Sequence, residues 1–138
     1  MSGLRPVWIE KALGQLAVLR EPGGGWAYQP GNAVAVEPTA LASFALASED
    51  EPTQRETVEK AAQLLASMQQ DNGAIGVTSN LPSPAWATPY GILLWAYLDS
   101  YESNRERAVT FLLAREGRKL PKSSGPGHDT TLTGWPWV

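Results

Sequence analysis

A chain of 138 residues with 43% hydrophobic content is about the size of one domain and long enough to bury a core. Its formal net charge of −3, without a run of Lys or Arg, excludes the clustered basic footprint by which a protein displaces counterions from nucleic acid. The absence of cysteine excludes disulfides, thiolate nucleophiles and thiolate-held zinc.

In chain order, the opening residues lack the apolar core of a secretion signal, because Trp8-Ile9 is followed at once by Glu10-Lys11; a cytoplasmic location is the default expectation. Ile9, Ala12, Leu13 and Leu16 then recur at helical spacing and predict a one-faced helix near residues 5–20. A Gly, Pro and aromatic segment from Glu21 to Gly31 is a turn signal. Residues 38–48 are apolar or small all round, which predicts a helix buried on every side. The acidic stretch Glu49-Asp50-Glu51 reads as a solvated loop.

A second one-faced helix is expected near 53–70, with Val58, Ala61, Leu65 and Met68 on its apolar stripe, and Asp71 to Gly76 form the next turn. A second all-round apolar helix is expected near 87–101. Its strongly apolar run, Tyr90 to Leu98, is nine residues, short of the ~20 a membrane span needs, although peripheral membrane contact remains compatible. A third one-faced helix is expected near 103–117, on Ala108, Phe111 and Leu112. Thr53 with Glu56, and Ser103 with Glu106, have the spacing of capping boxes and mark two helix starts. The long loop from Gly117 to Gly134, which contains His128-Asp129, is of the kind that is usually functional.

These elements repeat. Lys11-Ala12, Lys60-Ala61 and Arg107-Ala108 open three segments of one grammar at offsets of 49 and 47. The offset of 49 also carries Gly24 onto Gly73, Trp26 onto Ile75, Thr39 onto Thr88 and Leu46 onto Trp95. Units 5–52, 53–102 and 103–138 follow, the last cut short, within a single partial domain. One hairpin of a repeat cannot bury its apolar face alone. Alternating one-faced and all-round apolar helices predict two layers, with residues 38–48 and 87–101 inside.

Lys60-Ala61, Leu64-Leu65, Gln69, Gly73 and Ile75 resemble the Gln-Trp repeat of squalene-hopene and related triterpene cyclases: a basic residue, a small one, an aromatic, an aliphatic, then Gln and Gly-x-Trp. Unit one matches at Lys11, Ala12, Leu16, Gly24 and Trp26, with Gln15 for the aromatic and Arg20 for the Gln. Unit three matches at Arg107, Ala108, Phe111 and Leu112, with Glu116 for the Gln, and meets Gly134-Trp135-Pro136-Trp137 after its loop. The resemblance implies the all-α, two-layer α/α toroid of terpene cyclases and protein prenyltransferases. It also implies that the motif residues are scaffold, and that a closed ring needs roughly twice these hairpins. The expectation is an N-terminal portion of a toroid, its core completed by the remainder of the ring or by a second copy.

For chemistry, the family's Asp-x-Asp-Asp-Thr acid motif is missing, and no Cys and one His cannot supply the prenyltransferase zinc set. No metal or cofactor is therefore expected. The cavity of this fold opens where inner helices begin, which selects Glu37 and Thr39 at one start and Trp86, Thr88 and Tyr90 at the other. Glu37 is either a catalytic acid or a carboxylate that complements a helix dipole, and Thr39 and Thr88 are either cavity contacts or caps. His128 and Asp129 are a further cavity contact and acid candidate in the loop. The expected function is binding or transformation of an isoprenoid small molecule. The alternative is a non-catalytic repeat scaffold for a protein or peptide.

Overall fold

The computed structural model describes residues 6–49 and 51–116. The protein is all-α across them, with five helices in chain order: α1 (Val7–Val18), α2 (Val36–Ala47), α3 (Pro52–Ser67), α4 (Thr88–Tyr97) and α5 (Glu102–Leu113). Isolated bridges such as Gln69 with Ile75 are the only β-type pairing among the described residues. No helix among these residues is long and apolar enough to cross a membrane.

The one-faced pattern of α3 settles as the sequence predicts. Val58, Ala61, Ala62 and Leu65 are buried while Glu56 and Lys60 pair on the wet side at 2.7 Å, one helical turn apart. On α5 the buried pair is Ala108 and Phe111. Helix α2 packs on α3 and α4 on α5, while α2 and α4 pack on each other. The main core gathers Leu46, Leu65, Ile75, Leu94 and Trp95, all at most 1% exposed, and each such side chain contributes about 1.5–3 kcal/mol by leaving water. Trp95 reaches across from α4, and its indole Nε1 donates to the Ala62 carbonyl at 3.2 Å, so the largest buried ring keeps its polar end satisfied.

Three expectations are corrected. The capping boxes do not form: Thr53 and Ser103 lie inside their helices, and the cap positions fall on Glu51 and Tyr101 without side-chain capping bonds. Pro52 suits a first helical position and starts α3 one residue early. Helix α4 stops at Tyr97 rather than 101, because Asp99 and Tyr101 take left-handed backbone angles (φ 48° and 57°); the Tyr101 ring packs near Trp95 at 6.3 Å between centroids. Nor are the inner helices buried all round. Leu41, Leu93 and Tyr97 are 51%, 56% and 57% exposed, so α2 and α4 each keep one open apolar stripe. Helix α1 buries no residue fully; Leu13 and Leu16 alone on it lean on the core, since only α2 flanks it closely.

Candidate functional site

The repeat is physical as well as sequential. In unit one the Thr39 hydroxyl accepts from the Trp26 backbone N–H at 3.0 Å; 49 positions later the Thr88 hydroxyl accepts from the Ile75 N–H at 2.9 Å. Both threonines are fully buried. Each hydroxyl also reaches the carbonyl of the same residue, Thr39 that of Trp26 at 3.3 Å and Thr88 that of Ile75 at 3.2 Å, and Thr88 donates more closely to the Ala85 carbonyl at 2.7 Å. Gly24 and Gly73 share a left-handed φ near +90°. Trp26 anchors its turn through the indole N–H, which donates to the Leu16 carbonyl at 2.8 Å.

Gln69 is the junction between units. Its Nε2 donates to the Gly73 carbonyl at 3.1 Å and to the Asn104 carbonyl at 2.8 Å, while its Oε1 accepts from Asn104 Nδ2 and Arg107. The end of α3 is thereby tied both to its own turn and to the start of α5. Arg20 occupies the corresponding place in unit one and donates to Thr57, the position 47 residues before Asn104. Both joints link the end of one outer helix to the next, the first through a single exposed bond and the second through four.

The threonines expected at the cavity therefore spend their hydroxyls on the scaffold, sealed from any ligand. Glu37 does not. Its position in the first turn of α2 leaves it partly buried, where Oε2 accepts from the Tyr28 hydroxyl at 2.6 Å and Oε1 from the Tyr90 hydroxyl at 2.7 Å. These two bonds, Tyr28 first, hold the Glu37 carboxyl below its ordinary range and keep it ionised. The phenols respond in the opposite sense. Tyr28 is pushed up by burial and then by its bond to Glu37, and Tyr90 is pushed up chiefly by that bond. A carboxyl held charged is poorly suited to deliver a proton, so the geometry favours Glu37 as a fixed negative charge over a catalytic acid.

Trp86 stands edge-on to Tyr90, 6.3 Å between centroids, and is also partly buried. The structure thus brings Glu37, Tyr90 and Trp86 of the expected set together at the starts of α2 and α4. His128 and Asp129 lie outside the described residues. Tyr28 is the member sequence reasoning missed. It sits in a turn two residues after Trp26, and the available signal was an aromatic in the segment that leads into Glu37.

From this cluster the open stripes run on as one face. Glu37, Leu41 and Phe44 are spaced four and three residues apart on α2, and Tyr90, Leu93 and Tyr97 three and four apart on α4. Tyr90 meets Glu37 at one end, and the Tyr97 ring meets Phe44 edge-to-face at 5.8 Å at the other, so the two helices run parallel. Tyr97 also donates to the Ala47 carbonyl at 3.3 Å. Beside the face, a cavity of about 410 Å³ lies between the end of α1, the first turn and α2, walled by Leu16, Leu19, Trp26, Tyr28, Pro38 and Leu41. A second, wholly apolar groove of about 270 Å³ runs between α4 and α5 over Ile92, Leu93, Val109 and Leu112. Among the described residues no group of three or more His, Asp or Glu is placed to hold a metal.

No family model, curated protein or solved structure matches the chain.

Proposed function

We propose that this chain is a segment of an α/α toroid whose inner face binds an isoprenoid-sized apolar molecule. The observation that carries this reading is that α2 and α4 run side by side with Leu41, Leu93 and Tyr97 exposed, next to the cluster of Glu37, Tyr90 and Trp86. A contiguous exposed apolar surface with one polar end is the surface of a binding site more than of a free helix.

The groove between α4 and α5 supports the toroid part of the reading. Shifting Ile92 back by 49 and Val109 and Leu112 back by 47 gives Ser43, Ala62 and Leu65, which are fully buried in the groove between α2 and α3. There the cover is α4. The same surface one unit further on is shaped for another inner helix. Isoprenoid binding in the assembled ring, rather than chemistry within these residues, fits the ionised state of Glu37.

Titration of the full chain with farnesol, followed by tryptophan fluorescence, tests the reading. Saturable binding that Leu41→Asp abolishes is the expected result. Absence of binding, or binding that Leu41→Asp leaves unchanged, refutes it. The second reading, a scaffold for a peptide on the same face, is favoured by how open that face is, and binding of apolar peptides in preference to farnesol would establish it.

A further inference from the structure

The Glu37 carboxylate has no cationic side chain paired with it among the described residues, and only the start of α2 complements its charge. Its two hydrogen bonds come from neutral phenols, and among the described residues no Lys or Arg forms an ion pair with it. Each carboxylate oxygen offers two acceptor directions. Tyr28 uses one on Oε2 and Tyr90 one on Oε1, which leaves one on each oxygen.

The surroundings favour a particular counter-ion. The hydroxyls of Tyr28 and Tyr90 flank the carboxylate, and Trp86 stands edge-on to Tyr90, so the charged group is bordered by aromatic side chains and by no described cation. The chain's formal net charge of −3 adds no positive field to offset this. From Glu37 the apolar stripe extends seven residues to Phe44, which at helical rise is roughly 10 Å. One negative pole at the end of a 10 Å apolar track is complementary to a molecule with a positive head and an apolar tail.

We infer that the α2/α4 face takes an apolar chain of isoprenoid length that carries an ammonium head, with the head on the free acceptor sites of Glu37 between Tyr28 and Tyr90. This inference rests on the reading of that face as a ligand surface. It adds a sign: a neutral alcohol head gains little at Glu37, and a phosphate or diphosphate head is repelled by it.

Three probes with one tail separate the terms: geranylamine, geraniol and geranyl phosphate, each titrated calorimetrically into the full chain. The amine should bind at least tenfold tighter than the alcohol, and the phosphate most weakly. Glu37→Gln should erase the order, whereas Tyr90→Phe, which keeps the charge, should preserve it. Wild-type protein supplies the same readout without a variant, because the preference for the amine should disappear as pH falls through the Glu37 titration. Equal binding of amine and alcohol, or a preference that survives both Glu37→Gln and acid, overturns the ammonium inference and leaves the apolar face standing. Failure of all three to bind overturns both.

Discussion

Replacing Thr39 or Thr88 by Val separates scaffold from site most sharply. Valine keeps the shape of the side chain, but the backbone N–H of Trp26, or of Ile75, loses its acceptor inside the protein. The carbonyls fare better. That of Trp26 still accepts from the Ala35 N–H at 2.9 Å and that of Ala85 from the Thr88 N–H at 3.1 Å, while the Ile75 carbonyl, 3.2 Å from the Thr88 hydroxyl, loses that donor in Thr88→Val. The loss is thus dominated by one buried, unsatisfied donor per variant, about 1–3 kcal/mol. A value near 2 kcal/mol corresponds to a drop in Tm of roughly 8 °C for a domain of this size. The two threonines occupy the same place in successive units, so both substitutions should destabilise, Thr88→Val at least as much as Thr39→Val because Pro84 stands where Ala35 donates in the first unit. Thermal melts followed by circular dichroism measure both. A change below about 0.5 kcal/mol at either position, the usual scale for a surface substitution, would refute the scaffold assignment and return that threonine to the list of ligand contacts.

Gln69→Ala should destabilise by about 2–3 kcal/mol, since it removes three partly buried hydrogen bonds and an exposed one from Arg107, while Gln70→Ala, with a single exposed side-chain bond to the Pro82 carbonyl, should cost about 1 kcal/mol or less; urea unfolding compares them. Gly24→Ala should cost about 1–2 kcal/mol for its left-handed backbone alone, and Gly73→Ala clearly more, because an added methyl there meets the Arg107 backbone carbonyl; the same unfolding assay ranks them. Glu37 is held below its unfolded-state pKa, so its contribution to stability is present above that value and is lost as pH falls through the folded one. The difference in Tm between wild type and Glu37→Gln should accordingly be constant from neutral pH down to about pH 5 and shrink below it.

The hairpin order was legible because the repeat is written in residues that close turns. Gly24 and Gly73, and Thr39 and Thr88, recur at one offset and make the same bonds. Burial of the α3 stripe was legible for a similar reason, since period alone assigns its wet and dry sides. What escaped depends on neighbours. The small and apolar composition of α2 and α4 implies burial on every side, but Leu41 and Leu93 have no opposing helix among the described residues. The capping boxes failed because Pro52 begins α3 earlier than Thr53 would, and because Tyr101 approaches α5 in a left-handed conformation. At the candidate site the sequence singles out Glu37, Trp86 and Tyr90 by their place at inner-helix starts. It does not disclose the protonation state of Glu37, which depends on Tyr28 arriving from a turn nine residues upstream.

The joined face of α2 and α4 is the proposed seat of an apolar ligand. Backbone amide shifts of the isotopically labelled chain, recorded during a farnesol titration, test it most directly. The account predicts saturable shifts concentrated from Glu37 to Phe44 and from Trp86 to Tyr97, with α5 beyond Leu112 and the start of α1 little changed. Shifts centred instead on the exposed apolar residues of α1, such as Val7, Trp8 and Val18, or no saturable shifts at all, would contradict it.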